Sequence, residues 1–479
     1  MNNLIWDCAL NLLLLQGLLG AFDTIYHHEL TVGLPQRPSA RLELRIHALR
    51  AWLYGGVFAA MAWLQPHGSW AAVLAAVVLA EVGLTLWDFL VEDASRRLPG
   101  TERVLHTVLA INGGALFGLY GWQLLQWWSL PTAVLPLAPD WRTWALTAMA
   151  LGVAASGLRD ALASRQLGRR PVVPNPYAGL AHRRILLSGG TGFIGEVLVG
   201  QLIAAGHAVT ILARDPLKAA AQSQGRARCV ASVDELHAAE RFDAVINLAG
   251  APVVGPRWST KRKAQLLGSR LGTTEALLGW LRRAEHKPAL WLQASAIGYY
   301  GVRPAEEALD EMSDSGEGFM SELCARWEAS ANEASQHGVR LVTLRLGLVL
   351  GHGGALPSLL LPFRLGLGGR MGSGQQVMSW IHLEDLLALL ARCLVDGSMQ
   401  GTYNAVAPGA LSQAEFAAEA GLVLGRPAWL PLPAAPLRAL LGEMAQLFVD
   451  GQRVLPRRLQ AAGFVYRYPA MHAALQDLH

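Results

Sequence analysis

Residues 185–195 read Ile-Leu-Leu-Ser-Gly-Gly-Thr-Gly-Phe-Ile-Gly, an apolar run ending in glycines at 189, 192 and 195. The run predicts a buried strand and the glycines a tight turn into a helix. Such a turn lets the backbone approach a dinucleotide pyrophosphate and aims the partial positive charge of the next helix at the phosphates. Gly189, Thr191, Gly192, Phe193, Ile194 and Gly195 are therefore the expected cofactor-binding turn. Glu196–Ala205 should follow as the helix and His207–Ala213 as the second strand. An acidic residue after that strand would bind the ribose 2′-hydroxyl of NAD, but the chain reads Ala213-Arg214-Asp215. Arg214 favours the 2′-phosphate of NADP(H) over NAD(H), and Asp215 next to it keeps NAD open. The next apolar strand, Ala244–Leu248, leads into Leu248-Ala249-Gly250, on which the adenosine half of the cofactor can lie.

The stretch before this turn is of another kind. The 479-residue chain is 52% hydrophobic and only 16% charged, a balance that leans toward a membrane protein. Five stretches, near 4–25, 48–65, 70–91, 104–127 and 141–160, are apolar over the roughly 20 residues a helix needs to cross a bilayer. The first lacks a basic leader, carries Asp7 and is followed by further spans, so it reads as a span and not as a cleaved signal. Arg37, Arg41, Arg45 and Arg50 mark the first loop, Arg96, Arg97 and Arg103 the third, and Arg159, Arg165, Arg169 and Arg170 the end of the fifth span. The second and fourth loops have no Lys or Arg. The positive-inside bias then predicts a multi-pass protein of the bacterial inner-membrane kind, with its N-terminus outside and everything after the fifth span cytoplasmic. Trp127, Trp128, Trp141 and Trp144 fit an interfacial aromatic belt at the outer side.

The same topology gathers polar residues at the inner side. Asp23 and His27, Glu43 and His47, Asp88 and Glu92, and Glu102 and His106 stand at the inner ends of four spans. Three of these pairs are carboxylate-x-x-x-His, one helical turn apart on one face. Carboxylates and imidazoles projecting from four helices are how bundles hold metal ions, usually with the shorter Glu-x-x-His spacing. Asp23, His27, Glu43, His47, Glu92, Glu102 and His106 are thus candidate metal ligands, against a plainer alternative in which they pair with the loop arginines at the membrane surface.

The net charge of +4 is modest, and no Lys/Arg run is interleaved with aromatics, so a nucleic-acid partner is not expected. Four scattered cysteines with no CxxC pair indicate neither a zinc site nor a disulfide framework.

After the glycine turn the motifs Asn247-Leu248-Ala249-Gly250, Arg257-Trp258, Ser269-Arg270, Ser295-Ala296-Ile297-Gly298-Tyr299-Tyr300-Gly301, Arg345-Leu346-Gly347-Leu348-Val349-Leu350, Ser379-Trp380-Ile381-His382 and Asp385-Leu386 follow in order. This series resembles the atypical extended short-chain dehydrogenase/reductases, and within them the bacterial sugar-nucleotide epimerase-like proteins, from about residue 184 to 477. The resemblance implies an α/β fold, a Rossmann-type doubly wound parallel sheet with a smaller C-terminal lobe, here preceded by an all-α transmembrane bundle. The expected organisation is a membrane region at 1–160, a proline-containing linker at 161–182, the NAD(P)-binding domain at 183–420 and the C-terminal module at 421–479.

Extended short-chain dehydrogenases use a Tyr-x-x-x-Lys pair, the lysine lowering the tyrosine pKa so that the phenol can exchange a proton. Counted back from Glu328, the equivalent positions are Met320 and Cys324, and neither can do that work. The resemblance and the residue types leave Ser295, Tyr299, Tyr300 and His382 as candidate catalytic groups and Arg257 and Arg345 as candidate substrate-binding groups. The glycine-rich segment 351–374 is expected to line the substrate cleft as a lid, or to be a plain solvent loop. Two readings follow: a membrane-anchored NAD(P)-dependent oxidoreductase or epimerase acting on a small molecule, or an NADP(H)-binding sensor or assembly factor without turnover.

Overall fold

The structure is a computed structural model and describes residues 3–36, 40–95, 98–168 and 173–479. Arg37, Arg96, Arg97, Arg169, Arg170 and Pro171, used above for topology and linker, lie outside the described residues. The chain divides into two compact units, Met1–Val172 and Val173–His479.

Among the described residues, the first unit has five α-helices packed as a bundle: α1 (Asn3–Phe22), α2 (Arg41–Trp63), α3 (Ser69–Ser95), α4 (Gly100–Trp128) and α5 (Trp141–Leu167). Asp140 starts α5, its carboxylate accepting from the Thr143 amide while the Thr143 hydroxyl accepts from the Asp140 amide, which satisfies two otherwise orphaned donors. The short strands β1 (Leu64–His67) and β2 (Ala133–Pro136) pair antiparallel across the end of the bundle away from the inner-side acids. Leu13, Phe58, Met61, Leu116 and Tyr120 fill the interior.

Four helical stretches, Leu4–Glu29, Ser69–Asp93, Gly100–Trp128 and Trp141–Leu167, are long and apolar enough to cross a membrane. The expected second span is not among them. Its helix α2 begins with Arg41, Glu43, Arg45, His47 and Arg50, and this polar first half lowers its apolar content. Helix α5 also continues past residue 160 to Leu167, into the expected linker. Trp128, Trp141 and Trp144 are exposed, as a belt requires, but Trp127 is buried against Trp6, with ring centroids 5.2 Å apart.

The second unit is built on seven parallel strands. In chain order they are β3 (Arg184–Ser188), β4 (Ala208–Leu212), β5 (Arg228–Val230), β6 (Ala244–Asn247), β7 (Leu290–Ala296), β8 (Arg340–Leu346) and β9 (Gly401–Ala405), and in space β9-β8-β7-β6-β3-β4-β5. Their near-continuous Val, Ile and Leu content is what a sheet covered on both faces requires. Ile185, Leu187, Ile211 and Ile246 face one apolar core, and Leu186, Val245 and Trp291 the other. Strand order reverses between β3 and β6, which opens the crevice where α/β sheets of this kind bind ligands, beyond the carboxyl ends of the strands.

The C-terminal lobe is tied to the helix Leu383–Val395 by Asp385, whose carboxylate accepts from the Arg467 amide at 2.7 Å and the Tyr468 amide at 3.0 Å. The segment 351–374 is not a continuous loop: Leu356–Arg364 is helical, with Leu356, Leu360 and Phe363 buried.

Candidate active site

The sequence after β3 forms the turn that its glycines demand. Gly189 has φ +79°, a conformation open to glycine, and a Cβ on it would stand 2.7 Å from the Leu248 carbonyl. A Cβ on Gly195 would fall 2.2 Å from the Gly189 oxygen, so α6 (Phe193–Ala204) can start against the turn only with glycine there. Gly192 caps α6 and is exposed, leaving the first amides of the helix facing the crevice.

The crevice floor across the switch point is fixed from beneath. Asn247 at the end of β6 accepts from the Ser188 hydroxyl at 2.6 Å and donates to Thr274 and Gln293 at 2.9 and 3.0 Å. The Leu248 amide donates to the Ser188 carbonyl, which brings Leu248-Ala249-Gly250 beside the glycine turn. At the end of β4, Arg214 is exposed. Asp215 is engaged, its carboxylate accepting from the Lys218 amide at 3.0 Å as the N-cap of α7 (Pro216–Gln222).

Arg270 was named in the sequence only as part of a motif, and the structure gives it a place. It lies in α8 (Thr260–Arg283), nearly buried, with its guanidinium carbon 2.9 Å from where a Gly250 Cβ would be. No carboxylate among the described residues pairs with it, it lies over the Trp327 ring at 5.1 Å, and burial lowers its pKa. A cation without a counter-charge beside the floor is the signal that composition and spacing hid, because its burial depends on a tryptophan far along the chain.

The candidate catalytic and substrate residues separate into three places. Ser295, Tyr300 and Arg345 join one buried network. Arg345 holds Glu328 through two contacts of 2.9 Å, Ser295 donates to Glu328 at 2.6 Å, and the Tyr300 hydroxyl meets Arg345 and Asn404 at 2.9 and 2.7 Å. Arg345 is thus engaged with Glu328 and the Tyr300 hydroxyl. Tyr300 is fully buried, and burial raises its pKa. His382 is elsewhere: its Nδ1 accepts from the Glu384 amide as a helix N-cap, its ring lies 3.9 Å from that of Tyr468, and its Nε2 is 3.5 Å from Asp477. His382 thus caps the helix Leu383–Val395 and is buried against Tyr468 and Asp477 of the C-terminal module. Arg257 is exposed and lies against Gly442.

Tyr299 alone of these hydroxyl groups stays partly exposed. It sits in the one-turn helix Ile297–Tyr300 at the carboxyl end of β7, its ring covered by the Arg345 guanidinium at 3.4 Å. Met320 and Cys324 lie opposite on α9 (Phe319–Ala331), within 3.2–3.7 Å of where a Gly298 Cβ would be. Burial pushes the Cys324 thiol up to about 12, so it stays neutral and unreactive.

Fold and crevice together define a Rossmann-type dinucleotide-binding protein of the extended short-chain dehydrogenase kind. Residues 185–405 match the NAD dependent epimerase/dehydratase family, and 432–478 match a domain of unknown function, DUF1731. The chain belongs to that family. It is 41% identical over 301 residues to the epimerase family protein SDR39U1 of Bos taurus, covering 62% of this chain and 99% of that protein. It is 36% identical to the epimerase family protein YfhF of Bacillus subtilis, covering 61% of this chain and 97% of the relative. The crystal structure of human SDR39U1 (isoform 2) with NADPH superposes with a TM-score of 0.56 at 39% identity, over 62% of this chain and 98% of that one. These matches concern the second unit.

Proposed function

We propose that the chain is a membrane-anchored NADP(H)-dependent oxidoreductase or epimerase-like enzyme acting on a small molecule, its second unit at the cytoplasmic face. The observation that carries the cofactor preference is the division of labour at Arg214 and Asp215. The carboxylate that could take a ribose hydroxyl caps α7, while the guanidinium beside it is exposed where a 2′-phosphate would lie. The human relative solved with NADPH supports the same reading. Arg270 adds a second cation at the crevice floor.

A bound nicotinamide would supply or accept the hydride. The chain's part is to hold the pyrophosphate on the amides of Gly192–Ile194 and to move one proton. With Met320 and Cys324 in place of Tyr and Lys, the proton falls to Tyr299, the partly exposed hydroxyl at the carboxyl end of β7, its ring held under the Arg345 guanidinium. Arg257 is the exposed cation for a substrate carboxylate or phosphate.

The neutral Met320 and Cys324 also favour a second reading, an NADP(H)-binding sensor without turnover. Purified full-length protein loaded with NADPH, followed by absorbance against a panel of carbonyl compounds and sugar nucleotides, separates the two. Oxidation with any member, lost in Tyr299→Phe with NADPH still bound, supports the enzyme. Retention of NADPH with no oxidation across the panel supports the sensor.

A further inference from the structure

Among the described residues, the ligand-type side chains that come close enough together to hold a metal ion gather at the end of the helical bundle that carries Asp23, His47 and His106. Helix α1 passes at Asp23 into a π-helix that runs to Val32, and its wider i→i+5 turn changes which residues face inward. Asp23 is then met by both following histidines, by Nδ1 of His27 at 2.8 Å and by Nε2 of His28 at 3.5 Å. From α4, His106 Nε2 reaches the same Asp23 oxygen, Oδ2, at 3.0 Å, and Glu102 Oε1 stands 3.6 Å from His28 Nε2. One donor atom from each of Asp23, His28, Glu102 and His106 lies within 4.8 Å of the others. Asp23, His28 and Glu102 are buried, and His106 nearly so.

Two features of this cluster suit a shared metal centre. The first is spacing. Two of the three cross-contacts, at 3.5 and 3.6 Å, exceed hydrogen-bond lengths. Ligands on metal bonds of about 2.0–2.2 Å stand roughly 3–3.5 Å from one another, because they share a centre and do not bond to each other. The second is the arrangement behind the donors. His106 turns Nε2 to the cluster and Nδ1 to Glu92, 3.4 Å away. His27 holds the other Asp23 oxygen, Oδ1, and extends its own Nε2 to the Thr101 hydroxyl at 3.2 Å. A carboxylate behind a ligating imidazole, and a hydrogen bond fixing a ligating carboxylate, are the supports that orient metal ligands.

The geometry points to a divalent transition-metal site held by Asp23, His28, Glu102 and His106, with Glu92, His27 and Thr101 as positioning residues. His28, His47 and Glu92 form an adjoining triad of donors that a second ion can share. Mixed imidazole and carboxylate donors select iron, manganese or zinc over calcium or magnesium. His28, not His27, supplies the ligand. Glu43, although fully buried on α2, is outside both donor sets.

The test uses full-length protein in detergent without a polyhistidine tag. Elemental analysis should find at least one equivalent of transition metal. His28→Ala and His106→Ala should each bind more than 100-fold more weakly, and His27→Ala should lose about 10-fold, the lower end of what second-layer residues cost. Because a ligand variant can disturb the bundle, wild-type protein stripped of metal is also titrated with cobalt(II). Saturable visible bands of a nitrogen- and oxygen-ligated ion, competed by zinc, support the site. Metal content no higher than that of His106→Ala, or cobalt that gives no saturable bands in the wild type, overturns it.

Discussion

Arg345 and Glu328 form a fully matched pair, two parallel contacts of 2.9 Å joining strand β8 to helix α9 beneath the Tyr299 ring. Burial removes both groups from water, so the pair is stable only while it is complete. Glu328 therefore does not act on substrate. It fixes Arg345, and Arg345 fixes Tyr299 and Tyr300.

Glu328→Ala should destabilise the protein by about 3–5 kcal/mol, the cost of stranding a buried charge. Urea unfolding followed by tryptophan fluorescence measures it, and an Arg345→Met/Glu328→Leu double variant should recover much of the loss. Equal stability of Glu328→Ala and wild type would show that the pair is solvated.

Arg214→Ala should weaken NADPH binding by about 10-fold or more, the worth of a charge-assisted hydrogen bond, and leave NADH nearly unchanged. Fluorescence titration with both cofactors reads this directly. A parallel loss for NADH would place Arg214 on the pyrophosphate and not on the 2′-phosphate.

Gly195→Ala should abolish dinucleotide binding, because its Cβ would lie 2.2 Å from the Gly189 oxygen and force the turn open. Gly200→Ala, on the same helix and with nothing within 4 Å of its Cβ, should instead be neutral or add about 0.5–1 kcal/mol. The contrast between the two variants separates a packing requirement from helix propensity.

Cys324 and Cys393, each pushed up to about 12 by burial, should resist iodoacetamide at pH 8 in the folded protein and react once it is unfolded. The folded thiols keep their protons where the unfolded ones, near 9, have lost them. Their contribution to stability is therefore whole below pH 9 and is lost progressively as pH rises from 9 toward 12. Peptide mapping after alkylation and unfolding across that range check both statements.

His382→Ala should cost about 1–2 kcal/mol, as loss of a helix cap does, and leave NADPH affinity unchanged. A large fall in turnover at unchanged stability would return His382 to the chemistry.

The glycine turn, the strands at 185–188, 208–212 and 244–247 and the absence of Tyr-Lys were legible in the sequence because each is local: a run of residues, a spacing, a missing type; the three-residue strand Arg228–Val230 was too short to read. The partners of Arg345, Tyr300 and His382 were not. Their fates depend on Glu328, Asn404 and Asp477, which the chain brings together only through the sheet and the C-terminal lobe. In the bundle, convergence of acids and imidazoles at one end was visible, but the choice between His27 and His28 was not. Ordinary helical spacing points Asp23 at the residue four ahead, and the π-helix brings the residue five ahead to the donors as well.

Phe193, the first residue of α6, has a further consequence. Cβ atoms on Gly351, Gly353 or Gly354 would each lie 2.7–2.8 Å from its ring, so that segment of backbone rests directly on the residue that follows the phosphate turn. A side chain at any of these three positions would therefore press on the first residue of the helix that opens at the phosphate turn, so a substitution far along the chain would be felt where the dinucleotide binds.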